Sequence, residues 1–209
     1  MKKVFYFLMS VAMLGMMSCT SCKHDPVEPV FNGYDFEQVT ANDCQAMVAK
    51  YGEEVRFYEA QVWYNQNLDV VDSNYIAKME NVFQYYDTSI LIFHFADSAE
   101  IEGLIEFAGK LTTWNEYSID TNDIDYTFTL FVNDFWVEDQ AMSLDSIKVT
   151  LDSALYIVRS LEQPTPQSNF VVMRQPLFPP FPTHPYYIFG EIKDCIGIDS
   201  ETGDVVTEF

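Results

Sequence analysis

Apolar positions recur at two periods along the chain, and the switches between them predict its elements. Ala41, Cys44, Met47, Val48 and Tyr51 keep helical spacing, with Thr40 and Asp43 as a capping pair and Gly52 as a stop. Glu54 to Tyr64 changes to period two. Tyr58, Ala60, Val62 and Tyr64 fall on one face and Phe57, Glu59, Gln61 and Trp63 on the other, the pattern of a half-buried strand. Tyr75 to Tyr86 carries both periods: Ile76, Met79, Phe83 and Tyr86 suit a helix, while Val82, Phe83, Tyr85 and Tyr86 suit a strand. The run just after it favours a strand, as its pairing partner. That run, Ser89 to Phe95, is apolar enough for a buried strand. Asp97 and Glu100 open a helical stretch through Ile101, Leu104, Ile105 and Ala108, and Tyr126 to Val137 predicts another strand with a bend at Asn133–Asp134. The longest predicted helix starts at Ser143. Met142 and Ile147 would staple its start, and Leu144, Ile147, Leu151, Ala154, Leu155, Val158 and Leu161 would form its buried stripe until Pro164. Strands over Phe170–Gln175, Tyr186–Phe189, Cys195–Asp199 and Val205–Thr207 complete the chain, with a turn at Ser200–Gly203.

Strands follow strands without intervening helices, which predicts an α+β fold: antiparallel sheet with helices packed on one face. The length of 209 residues suits a single α+β domain over 35–209, divisible into 35–138 and 139–209.

The first 18 residues read differently. Lys2 and Lys3, an apolar run from Val4 to Met17, then Ser18 and Cys19 give the charged, apolar, small-residue order of a secretory signal peptide. The run is shorter than the roughly 20 apolar residues that span a bilayer. A cysteine directly after a small residue resembles the lipobox of bacterial lipoproteins, although Met16 stands where that family usually has Leu. The resemblance implies cleavage before Cys19 and acylation of Cys19, including palmitate. Residues 19–34, polar and bearing Pro26 and Pro29, would then be a tether. Its implied location is the cell envelope, on the outer membrane and facing the periplasm or the cell surface; Thr20 rather than Asp follows Cys19.

Charge narrows the partners. There are 32 acidic against 11 basic residues, a net charge of −21. Such a surface repels phosphate backbones and anionic headgroups, so nucleic acid is excluded and membrane contact is confined to the lipid. A protein or glycan ligand is compatible with it. Aromatic residues are 16% of the chain, so Trp63, Trp114 and Trp136 could supply flat rings for sugars, although core packing claims most rings in such a chain.

The common hydrolase, zinc-protease and P-loop signatures are missing, and no residue pattern points to a catalytic residue, a metal or a cofactor. His24 lies in the tether, His94 follows Ile90 and Ile92 on one strand face as a core histidine would, and His184 lies in a Pro-rich loop. Asp120, Asn122 and Asp125 imitate a calcium loop, but Ile124 and Asp125 break its pattern. Glu59, between Phe57 and Trp63, is the most arguable acid; a solvent-facing carboxylate is the commoner outcome on a strand. Cys44 and Cys195 are either a disulfide or two buried small hydrophobes. Pro176 to Pro185 holds five prolines in ten residues. Phe178, Phe181, Tyr186 and Tyr187 in and after it either pack down as a lid or face water as a ligand or partner contact.

The end of the chain carries a turn motif in Ile198, Asp199, Thr202, Gly203 and Val205, preceded by the helix from Ser143. Gly203 suits a positive φ, and Asp199 and Thr202 can bond the turn backbone. This third of the chain resembles a PepSY-like domain, a helix on a small antiparallel sheet; the Pro-rich insertion departs from that family. The helix near Thr40 and its following strand would be a second, degenerate copy. The resemblance implies a non-enzymatic interaction or inhibitory module, with no catalytic residue to carry over.

Overall fold

A computed structural model describes residues 33–71, 74–96, 114–121, 126–132, 140–176, 184–191 and 195–206; side chains are described for these except 114–121 and 126. The signal, tether residues 19–32, the stretch from Asp97 to Ala108, the bend at Asn133–Asp134, Trp114, Trp136, Phe178 and Phe181 lie outside the described side chains. Tyr34, at the end of the expected tether, already packs against the core, and its amide donates to the Ile76 carbonyl at 3.3 Å.

Helix α1 spans Phe36–Tyr51. Asp35, not Thr40, is its cap, accepting from the Gln38 amide at 2.8 Å. Thr40 and Asp43 are left for other work, because both are buried against the sheet. Gly52 ends the helix at φ +78°.

The strands are β1 (Arg56–Tyr64), β2 (Ile76–Tyr85), β3 (Thr88–Phe95), β4 (Trp114–Thr121), β5 (Tyr126–Val132), β6 (Phe170–Arg174), β7 (Tyr186–Phe189), β8 (Ile196–Asp199) and β9 (Val205–Val206). They form one sheet in the order β4-β5-β3-β2-β1-β6-β7-β8-β9, and each pairing is antiparallel. The ambiguous stretch after Tyr75 is strand, paired with both β1 and β3. β4, whose sequence offers no clear apolar alternation, pairs along β5.

Helix α2 is shorter than its sequence pattern. Leu144–Ser146 is a single 3₁₀ turn, and the α-helix runs only over Leu151–Ser160, capped by Thr150. Met142 does not staple it; its amide donates to the Phe57 carbonyl at 2.7 Å, holding the segment against β1. The Glu37 carboxylate of α1 accepts from the Leu151 amide at 2.7 Å, so one helix caps the other.

The order α1-β1-β2-β3 recurs as α2-β6-β7-β8, and the two meanders meet at the antiparallel β1–β6 pair. Both helices contribute to one core: Phe36 and Met47 from α1, Leu151, Ala154, Leu155 and Val158 from α2, over Val62, Phe83, Val171 and Phe189 of the sheet. A bulge at Tyr58 corrects the predicted alternation of β1 at one residue: Phe57 pairs with Phe83 and joins the core, while Glu59 keeps its predicted place on the opposite face with Gln61 and Trp63. That face carries its own cluster of Phe93, Phe95, Phe128 and Leu130.

Candidate functional site

The connection after β1 is folded back along the flank of α2 and fastened there. Leu68 is fully buried, and its amide donates to the Ser168 carbonyl at 2.6 Å. The Tyr64 amide donates to the Asn169 carbonyl at 2.7 Å, and Asn169 Nδ2 returns a bond to the Tyr64 carbonyl at 3.1 Å. From α2, Arg159 Nε donates to the Leu68 carbonyl at 2.7 Å and its Nη2 to the Val70 carbonyl. Asn74 Nδ2 donates to the carbonyls of Asn67 and Val70. Between these walls lies a cleft of about 370 Å³, lined by Tyr64, Val71, Asn74, Asp152, Leu155, Tyr156, Arg159 and Ser160. The last five sit at i, i+3, i+4, i+7 and i+8 of α2, one flank of the helix.

Two atoms in the lining lack partners. The hydroxyl of Tyr64 and the Oδ1 of Asn74 are buried without a hydrogen bond among the described residues. Each such atom costs about 1–3 kcal/mol. Burial, then the negative charge of Asp152, raises the pKa of the Tyr64 phenol; Arg159 opposes this and Glu37 adds to it. The rim is open: Val71 is 69% and Tyr156 is 74% exposed.

A second polar cluster lies on the opposite face of the sheet. Glu59 is 2% exposed. It accepts from Gln61 Nε2 and sits 3.1 Å from Arg174 Nη1 on β6, its cross-strand partner. Burial raises its pKa against the lowering effect of Gln61 and Arg174. Glu80, diagonal to it on β2, is pushed up to about 7 by burial and then by the Glu59 charge, with Lys78 opposing. The solvent-facing expectation for Glu59 is overturned: it keeps the face its period predicts, with Gln61 and Trp63, but that face is covered. The cleft lining includes neither carboxylate.

His94 is a core histidine, as its strand face predicts: Nε2 meets Asp43 Oδ2 at 2.8 Å and Nδ1 meets Thr127 Oγ1 at 3.3 Å. His184 lies between Asp199 (2.6 Å) and Glu201 (2.9 Å). Among the described residues no three His, Cys, Asp or Glu side chains group as a metal site.

The other residues singled out in the sequence scatter. Tyr187 is a correction: it is fully buried, and its hydroxyl donates to the Val149 carbonyl at 2.9 Å, so it is core and not a partner contact. Tyr186 is half-buried on the other face, hydrogen-bonded to Asp199 and stacked on His184. Cys44 and Cys195 are not joined. Cys44 rides on α1 over β2, and Cys195 precedes β8, four strand positions away. At about 4.8 Å per strand that exceeds the reach of a disulfide. Burial, then Asp43, pushes the Cys44 thiol up to about 12. Trp63 is no open platform, since it packs on Phe170 and Lys78 covers its ring at 4.1 Å. No described helix is long and apolar enough to cross a membrane.

Sequence reasoning missed the cleft residues. Tyr156 carries the only readable signal, an aromatic off the buried stripe of its own helix; Tyr64 reads as core, and Asn74 as an ordinary turn residue. No family model, curated protein or solved structure matches the chain.

Proposed function

We propose that the chain is a lipid-anchored, extracytoplasmic, non-enzymatic binding module, and that its ligand enters the cleft beside α2. The observation that carries this reading is the preparation of the site. Both walls are already tied by Arg159, Asn74 and Asn169, while the Tyr64 hydroxyl and Asn74 Oδ1 remain without partners among the described residues. A site ordered in advance loses less entropy on binding. The lipobox-like Cys19 supports the anchor, and the Asp199–Gly203 turn supports the PepSY-like resemblance. Asp199 Oδ1 accepts from the Glu201 and Thr202 amides at 2.8 and 3.0 Å, and Gly203 has φ +80°.

Two measurements test the proposal on the full chain. Palmitate labelling in a bacterial host should mark the wild type and fail in Cys19→Ala; labelling that persists moves the lipid to Cys22 or refutes the cleavage site. A thermal-shift screen of oligosaccharides and peptides should yield a ligand that raises Tm, is not consumed, and is lost in Tyr156→Ala. Turnover of a substrate that stops in Glu59→Gln would refute the non-enzymatic reading. It would establish instead the carbohydrate-active alternative, for which the raised carboxyls of Glu59 and Glu80 are the supporting observation.

A further inference from the structure

The geometry points to a neutral saccharide as the occupant of the α2 cleft, with Tyr156 as the ring it stacks on and Tyr64 and Asn74 as the hydroxyl readers. This rests on the binding-module reading and specifies its ligand.

The unpartnered atoms define the chemistry. Asn74 Oδ1 is a carbonyl oxygen and can only accept, and the amide nitrogen of the same side chain is already committed to the Asn67 and Val70 carbonyls. The Tyr64 phenol keeps its proton, because burial and the Asp152 charge disfavour the phenolate, so it can donate. A ligand that serves both must offer a donor and an acceptor. Sugar hydroxyls are both. Charge points the same way. Asp152 and Arg159 bring opposite charges to the lining, and two of the Arg159 nitrogens are spent on loop carbonyls. That leaves no free cationic fork for a carboxylate or phosphate ligand, and the net charge of −21 repels one. The open rim supplies the third element. Tyr156 presents its ring 74% exposed beside Val71, a flat apolar surface for the C–H face of a pyranose. Tyr64 and Asn74 line the same cleft as this ring, which puts the hydroxyl readers and the stacking surface in one site.

The experiment is an array of immobilised neutral oligosaccharides of glucose, galactose, mannose and xylose, read with the full chain in detergent beside a peptide array. Binding to at least one neutral oligosaccharide is expected, about tenfold weaker in Tyr156→Ala and preserved in Tyr156→Phe. Asn74→Asp should alter which sugars are held, with an unchanged circular dichroism spectrum as the control for folding. Sugar binding that ignores Tyr156→Ala overturns the assignment of the site. Peptide binding that is lost in Tyr156→Ala, without any sugar binding, overturns the saccharide while leaving the binding module standing. Silence on both arrays overturns the two together.

Discussion

Each face of the sheet buries a polar network, and the two are satisfied to different degrees. On the core face, Asp43 of α1 accepts from Asn81 Nδ2 at 2.7 Å and meets His94 Nε2 at 2.8 Å. Thr40 reaches Asn81 Oδ1, and Thr127 meets the other histidine nitrogen. None of these side chains leaves a buried atom without a hydrogen bond among the described residues. On the opposite face, the Glu59 Oε2 contact with Arg174 lies outside hydrogen-bond geometry, Arg174 Nε is buried without a bond, and both Glu59 and Glu80 are raised in pKa. The first network joins a helix to three strands and uses short, geometrically fixed groups. The second spans β1, β2 and β6 of the sheet and relies on charge. Buried charge is a weak source of stability, although losing one partner of a pair is costly. The difference suggests that the core face specifies how α1 docks, and that the opposite face holds potential energy a substitution can release.

The largest effect should come from breaking the ion pair. Arg174→Met leaves the Glu59 carboxylate buried without its cation and should lower unfolding free energy by about 3–5 kcal/mol in urea titration. Glu59→Met together with Arg174→Met should recover most of that loss. If the double variant is as unstable as the single one, the opposite face depends on its charges in the way the core face depends on its hydrogen bonds. Asp43→Ala tests the core side. It strands donors on both Asn81 and His94 and should cost about 2–3 kcal/mol, with no apolar partner substitution able to restore it simply.

These networks also mark how far the sequence could be read. The α+β class, the strand at β2, the buried run of β3 and the closing turn all follow from local period and turn chemistry. Asp199 illustrates this, because its bonds go to amides two and three residues away. What could not be read depended on partners distant in the chain. Thr40 and Asp43 look like a helix cap, but their partners Asn81 and His94 lie some 40 and 50 residues on. Phe57 reads as opposite Ala60 and Val62 until one extra residue at Tyr58 brings it to their face, and a bulge leaves no mark in period-two counting. Glu59 keeps its predicted face, and only the cover over that face, from distant strands, escapes the sequence. The helix expected from Ser143 is shorter in the structure for a similar reason. Leu144 and Ile147 do pack against the core, but from a 3₁₀ turn and the extended residue after it, which together mimic helical spacing. The cleft was invisible because it is made by clamping a loop onto a helix flank, through bonds from Arg159 to backbone carbonyls that any sequence supplies.

A titration sharpens the comparison between the faces at intermediate size. Glu80 titrates near 7 in the folded protein, above the ordinary glutamate value. Between those two values the folded chain holds a proton that the unfolded chain has released. Stability should therefore fall as pH rises from about 4.5 to about 7 and then level off. Glu80→Gln should remove that part of the slope and gain about 2 kcal/mol at pH 8, read from urea midpoints across the range. A slope that survives in Glu80→Gln would assign the titration to Glu59. Asp199 has the opposite sign. Burial alone would raise its carboxyl, but the amides of Thr202 and Glu201, then His184, outweigh it and hold the carboxyl low. Its contribution is present above the unfolded value and lost as pH falls through the folded one, below about pH 4. Asp199→Ala should cost about 1–2 kcal/mol and open the β8–β9 hairpin to hydrogen exchange. Asp199→Asn should keep the turn bonds to Oδ1 and lose the negative charge that faces His184 and Tyr186.

The smallest expected effect is at the cleft, and its smallness is what makes it useful. Tyr156 stands 74% exposed on α2, off the stripe formed by Leu151, Ala154, Leu155 and Val158. Replacing it with Ala removes a ring that covers little of the core and places the best helix former in its position. Stability of the unliganded protein should change by no more than about 0.5 kcal/mol, in contrast to any substitution in either buried network. If Tyr156→Ala proves costly, its ring belongs with the core and Val71 is left as the only open apolar wall. If it is neutral for folding, differences in binding between wild type and variant report on the cleft alone.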